Sequence, residues 1–196
     1  ETQSLYVGDS ETGVELVDKT DCIGIGLLYA AITQAIGFGL LQEGKTMGLA
    51  PYGKNHERQH LSFSGQYEGM RTAYEDLCVD GSYDLLQPLP PLDTLEDRAG
   101  VAFEVQQECE RAMLHLAAYA REKTGCNKLC ISGGVALNSV ANYKILQSGI
   151  FDDVFVNPAA SDTGIPLGAA LIGYHRLHGA SKDYPPISPY LGPTYS

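Results

Sequence analysis

The last third of the chain limits the fold most. Lys128-Leu129-Cys130-Ile131-Ser132 reads as a buried strand, Gly133-Gly134 as a tight turn and Val135 to Gln147 as a helix. The order then repeats: Asp153 to Asn157 is a strand, Pro158 to Gly164 a turn and Ile165 to Leu177 a closing helix. Strands separated by helices and joined by short turns predict a parallel pair in an α/β layer, because a parallel neighbour needs a crossover long enough to hold a helix. In an open α/β sheet, ligands bind beyond the carboxyl ends of the strands, and both turns lie at that edge.

Upstream, Val101, Val105, Cys109, Ala112, Met113, Leu116 and Ala120 recur at three- and four-residue steps and predict a long helix over 101–124 that stops at Gly125. Ser4 to Gly8 and Val14 to Asp18 alternate like half-buried strands, and Asp9-Ser10-Glu11-Thr12-Gly13 supplies the turn of an antiparallel hairpin. An apolar helix is expected near Leu27 to Phe38, and a second near Lys45 to Ala50, closed by Pro51-Tyr52-Gly53. Residues 54–95 have no sustained period and several Gly and Pro, the pattern of an insertion or lid-like segment. The expected organisation is hairpin, apolar helix and Gly-Lys segment over 1–53, insertion over 54–95, α/β core over 96–182, and a Pro-rich linker over 183–196.

Charge narrows the partners. Lys and Arg total 13 against 24 Asp and Glu in 196 residues, a net charge of -11, so a broad basic face for nucleic acid is not expected. With 44% hydrophobic and 19% charged residues the chain is of globular type. The cysteines, Cys22, Cys78, Cys109, Cys126 and Cys130, are odd in number and lack C-x-x-C spacing, which predicts reduced thiols and a cytoplasmic chain. Glu1-Thr2-Gln3-Ser4 leads into no signal-peptide pattern, and the abrupt start with the loop-like end suggests a piece of a longer protein.

Three pattern matches are discounted on context. Cys22 to Gln42 is uncharged and long enough to cross a bilayer, yet it is broken by Gly24, Gly26, Gly37 and Gly39 and lacks basic flanks, so a buried soluble helix is expected. Gly39 to Thr46 spells a phosphate loop, G-x-x-x-x-G-K-[ST], but follows a helical pattern instead of a buried strand. His56-Glu57-Arg58-Gln59-His60 spells H-E-x-x-H, but its neighbours are turn-formers, so a solvated loop is expected instead of a zinc-binding helix.

The turns of the α/β repeat are where chemistry belongs. The glycine pair after Ser132 lets backbone approach a ligand without Cβ interference; it equally suits close helix-to-strand packing. Asn138 is placed to hydrogen-bond a ribose or base, or to cap a neighbouring helix. Asp162 is placed to ligate a cation beside a nucleotide phosphate, or to serve as N-cap of the final helix.

Gly44-Lys45-Thr46-Met47-Gly48-Leu49-Ala50-Pro51-Tyr52-Gly53, Ile131-Ser132-Gly133-Gly134-Val135-Ala136-Leu137-Asn138 and Asn157-Pro158-Ala159-Ala160-Ser161-Asp162-Thr163-Gly164 resemble, in order, motifs of the O-carbamoyltransferases of nodulation-factor and antibiotic-tailoring type. Glu1-Thr2-Gln3-Ser4-Leu5-Tyr6-Val7 is similar to a strand of that family's second lobe. The resemblance implies an RNase H-like lobe of the actin, sugar-kinase and heat-shock-chaperone ATPase superfamily, a mixed sheet with helices on both faces. It also implies that carbamoyl phosphate and ATP form a carbamoyl-adenylate, whose carbamoyl group passes to a hydroxyl of a small-molecule or glycan acceptor. Residue by residue, Gly133, Gly134 and Asn138 would contact the nucleotide, Asp162 would ligate a divalent metal of iron type, and Lys45 would contact an anion. The family's metal histidines form an H-x-x-x-H pattern in the first lobe; His56 and His60 share the spacing but lie downstream of Gly53. The remaining lobe and a C-terminal domain are expected outside this chain, so the piece alone is expected to be inactive. Two other readings stay open: a non-catalytic nucleotide-binding scaffold and a sugar-kinase-like phosphotransferase.

Overall fold

The computed structural model describes residues 2–9, 13–56, 59–63, 67–179 and 192–193. The hairpin residues Ser10 to Thr12, Glu57 and Arg58 of the H-E-x-x-H match, and nearly all of the linker over 183–196 lie outside the described residues. Packing divides the chain into two compact units, one of Glu1–Leu129 with Asn138–Val154, the other of Cys130–Leu137 with Phe155–Ser196.

In the first unit, strands β1 (Gln3–Asp9) and β2 (Gly13–Thr20) pair antiparallel, as the alternation of Leu5 and Val7 with Ser4 and Tyr6 predicts. Leu5 faces Asp18 while Tyr6 faces Leu16, so Val17 is an extra residue on β2, a bulge that period-two reading does not register. Helix α1 (Ile25–Ala35) buries Ile25, Leu28, Tyr29, Ala30, Ala31, Ile32 and Thr33, which places it inside the core, apolar nearly all round. No helix among the described residues is long and apolar enough to cross a membrane. Helix α2 (Glu43–Leu49) runs into a 3-10 turn at Ala50–Gly53, which packs on helix α3 (Leu95–Thr124).

Helix α3 is the axis of this unit, packed against α1, α2 and α4. It begins six residues before the apolar stripe predicts, because its first turn is set by polar capping: Thr94 Oγ1 accepts from the Asp97 N–H at 3.1 Å, and the Thr94 N–H donates back to Asp97 Oδ2 at 3.1 Å. It ends at Gly125 with φ 67°, the left-handed stop expected there.

The segment read as an insertion is anchored on α3. It carries the short antiparallel pair β3 (Tyr67–Glu68) and β4 (Arg71–Thr72), and it buries Leu61, Met70, Ala73, Tyr74 and Cys78. Glu108, 1% exposed, accepts from Tyr67 Oη at 2.5 Å and Tyr74 Oη at 2.9 Å and pairs with Arg111 at 2.5 Å. Both hydroxyls bond Oε1, while buried Oε2 has the Arg111 ion pair and no hydrogen bond, so the charge is compensated on one oxygen by hydrogen bonds and on the other by the guanidinium. Burial first, then this carboxylate, raises the Tyr74 phenol above its ordinary range.

Strands β5 (Lys128–Ile131) and β6 (Asp153–Val156) pair, with helix α4 (Ser139–Ser148) between them in sequence. The Asp152 N–H donates to Asn127 O just before the strands, and the Gly133 N–H donates to Ala160 O just after them. Start therefore meets start and end meets end, so the strands run in the same direction. The crossover differs from expectation in one detail: Gly134–Leu137 forms a 3-10 turn and α4 proper begins only at Ser139. After β6, a 3-10 turn at Asp162–Gly164 leads into helix α5 (Ile165–His178). The α/β class is as predicted, while the described strands form three separate pairs instead of one mixed sheet.

Candidate active site: two turns joined at one carbonyl

The second unit brings together Gly133, Gly134 and Asp162. Gly133 has φ +105°, a conformation that L side chains rarely adopt, and its N–H donates to Ala160 O at 2.7 Å. Ser132 Oγ donates to the same oxygen at 3.1 Å. Ala160 is 2% exposed, so this doubly used carbonyl is the buried joint between the turn after β5 and the turn after β6.

Gly134 is a different kind of glycine. Its φ lies outside the left-handed range, and a Cβ built on it meets nothing within 4 Å. Neither backbone conformation nor packing among the described residues requires a glycine there. The packing alternative raised from the sequence does not account for it.

Asp162 is exposed and is the first residue inside its 3-10 turn; the N-cap of that turn is Ser161 and the N-cap of α5 is Gly164. The carboxylate is thus not spent as helix punctuation. Gly164, by contrast, is a packing glycine, since a Cβ there would stand 2.2 Å from the Ala159 carbonyl oxygen. Exposed Ser132, Gly133, Gly134, Asp162 and Thr163 present hydroxyl, carboxylate and uncovered backbone at the carboxyl end of the strand pair.

Asn138 and Lys45 belong to the first unit. Asn138 is 9% exposed and caps α4, its Oδ1 accepting from the Ala141 N–H at 3.0 Å. Its amide also pairs face to face with that of Gln106: Asn138 Nδ2 donates to Gln106 Oε1 at 2.9 Å, and Gln106 Nε2 donates back to Asn138 Oδ1 at 3.2 Å. Tyr29 Oη adds a further bond to Gln106 Oε1 at 2.9 Å. The capping role weighed from the sequence is the one these contacts display. Gln106 was missed; the only signal was a polar side chain beside the apolar stripe, between Val105 and Cys109.

Lys45 is exposed on α2, its Nζ 2.9 Å from Gln42 Oε1 and 5.9 Å from the Phe38 ring centroid. The Gly39 to Thr46 segment is not a phosphate loop: α1 precedes it, and Thr46 Oγ1, the would-be magnesium ligand, is buried 2.8 Å from Thr33 Oγ1.

The histidine pair is a loop, as predicted, but not a solvated one. The His60 side chain is 1% exposed, its Nδ1 3.4 Å from Glu104 Oε1, and His56 Nε2 lies 3.4 Å from Asp97 Oδ1. Both rings pack on α3, where Gly100 leaves room for His56: a Cβ at Gly100 would fall 2.9 Å from that ring. Among the described residues no three His, Cys, Asp or Glu side chains converge on a point that would hold a metal ion. Among these residues Asp162 offers one carboxylate and no cage.

Comparison with known proteins agrees with the motifs. Residues 1–171 match the model of the carbamoyltransferase N-terminus. The chain is 35% identical over 181 residues to nodulation protein NolO of Bradyrhizobium diazoefficiens, covering 86% of this chain and 31% of that protein. It is 35% identical over 202 residues to nodulation protein NolNO of Sinorhizobium fredii, covering 96% of this chain and 28% of the relative. A further match, 30% identical over 194 residues, is an uncharacterized protein of Synechocystis, covering 88% of this chain and 31% of that protein. The chain thus spans under a third of the length of these relatives. With its glycine turn, its exposed acid and a family match that runs from the first strand into α5, the chain belongs to the carbamoyltransferase family and carries part of its N-terminal region.

Proposed function

We propose that this chain supplies the nucleotide-facing turns of an O-carbamoyltransferase, within an RNase H-like lobe of the actin and sugar-kinase type. Water cleaves carbamoyl phosphate to carbamate and inorganic phosphate, and a carbamate oxygen attacks the α-phosphorus of ATP with loss of pyrophosphate to give a carbamoyl-adenylate; a hydroxyl oxygen of the acceptor then attacks its carbamoyl carbon. The new C–O bond forms as the bond to AMP breaks, and the hydroxyl proton leaves with a base that is not assigned to any residue. AMP is a good leaving group because its phosphate carries the departing charge, and dipoles aimed at that charge lower the barrier.

In this reading Gly133 and Gly134 form the floor on which the nucleotide lies, while Asn138, locked to Gln106, fixes the start of α4 and offers little free amide to a ligand. Lys45 is an exposed cation for an anionic group of donor or nucleotide. Asp162 is a single carboxylate that would ligate a divalent metal; among the described residues no group of three His, Cys, Asp or Glu side chains forms a cage for one. The family membership supports the transferase reading, and the separate units leave the first-unit and second-unit residues as two parts of the proposal.

The observation that carries it is Gly134, a glycine the fold does not need, on a turn that the Gly133 N–H bonds to the turn of an acid that is not a helix N-cap. Gly134→Val tests it: the side chain enters open space, so the full-length protein is expected to keep its melting temperature and lose ATP affinity by about tenfold or more, read by titration with a fluorescent ATP analogue. Unchanged ATP binding by that variant would overturn the nucleotide reading.

A further inference from the structure

We infer that Ser132 is a positioning residue that sets the glycine turn for its ligand through the Ala160 carbonyl. This inference rests on the nucleotide reading above and gives Ser132, a residue of the second family motif, a role that the resemblance does not assign.

Gly133 holds a left-handed conformation that glycine enters and leaves at little cost, so something outside the residue must fix it. Two donors do so by converging on one oxygen: the Gly133 N–H at 2.7 Å and Ser132 Oγ–H at 3.1 Å, both to Ala160 O. A carbonyl oxygen has two lone pairs, and both are used. Because Ser132 is exposed, its hydroxyl has water as an alternative partner, yet it points back across the strand ends. Ala160 precedes Asp162 by two residues, and Gly164 keeps that acid's turn tight against the Ala159 carbonyl. The clamp therefore fixes the glycine turn and the acid's turn as one body. Loss of the hydroxyl leaves the Gly133 N–H alone to hold the turn, and a preorganised site becomes one that must order itself on binding.

The test uses the full-length protein and a fluorescent ATP analogue. Ser132→Ala is expected to raise the Kd roughly three- to tenfold, the weight of one net hydrogen bond, while the melting temperature moves by less than about 2 °C. Ser132→Thr keeps a hydroxyl in place and is expected to restore binding to within about twofold of the parent. Parent-like binding by Ser132→Ala, or a threonine variant no better than alanine, overturns the clamp even where Gly134→Val loses binding. If Gly134→Val also binds like the parent, the nucleotide reading itself falls and takes the clamp with it.

Discussion

At Gly53 an added Cβ would lie 1.9 Å from the Ala99 carbonyl oxygen and 2.6 Å from the Gly100 nitrogen, whereas at Gly134 it would meet open space. Both glycines stand in motifs that carry the family resemblance, and by letter they are equivalent. Sequence cannot tell a glycine kept for packing from one kept for a visitor, since each is an absence of side chain and only the neighbours differ. Gly53→Ala is expected to destabilise by roughly 1–3 kcal/mol or more, because the obstacle is backbone of α3 and cannot rotate away. Gly134→Ala should shift stability by no more than about 0.5 kcal/mol. Urea denaturation of the two variants side by side measures the contrast. Asn138 teaches the same lesson from the polar side: its place in the motif was legible, but the amide pair with Gln106 depends on a residue 32 positions away that no local pattern flags.

Among the elements, α3 shows where pattern reading stops. Its apolar stripe was legible from Val101 onward because burial imposes the helical period, yet its first turn is polar and had to be read from Thr94-Leu95-Glu96-Asp97, a capping box with Asp at its third helical position. Thr94→Ala removes the cap and is expected to cost about 1 kcal/mol, measured by thermal or urea unfolding. Asp97 also gives this helix start a pH signature. The Thr94 side-chain and backbone bonds, with His56 a lesser contributor, hold its carboxyl below the usual aspartate range. A depressed folded-state value means stabilisation that is fully present above the ordinary aspartate pKa and lost as pH falls through the lower, folded value. Thr94→Ala removes the largest cause, so the Asp97 titration followed by NMR is expected to move upward, and acid fraying of the helix start should begin at higher pH than in the parent.

For the whole molecule, class and order of elements were legible because strand, turn and helix signals are local and came in an order that only an α/β arrangement satisfies. The anchoring of residues 54–95 was not, since it rests on single long-range contacts such as Tyr67 and Tyr74 on Glu108, which leave no period in the sequence. Thiol accessibility checks the packing as a whole. All the cysteines are free; Cys22, Cys78 and Cys109 are buried, Cys126 is half-buried and Cys130 is exposed. Burial raises the Cys109 thiol to about 12, with nearby carboxylates adding to it, and raises Cys78 to about 11, so neither forms thiolate near neutrality. Iodoacetamide under native conditions is expected to modify Cys130 first and Cys126 more slowly, and to reach the other three only after unfolding, as read by peptide mass spectrometry. Early labelling of Cys109 would contradict the packing of α3.

The Ser132 hydroxyl and the Ala160 oxygen are 28 residues apart in sequence. During synthesis the loop after β5 leaves the ribosome well before its anchor exists, and through that interval nothing holds its left-handed bend. The two turns therefore lock late and together, when the segment around residue 160 emerges, and a ribosome stalled before that point would expose a nascent chain able to form α3 but with the glycine turn still unanchored.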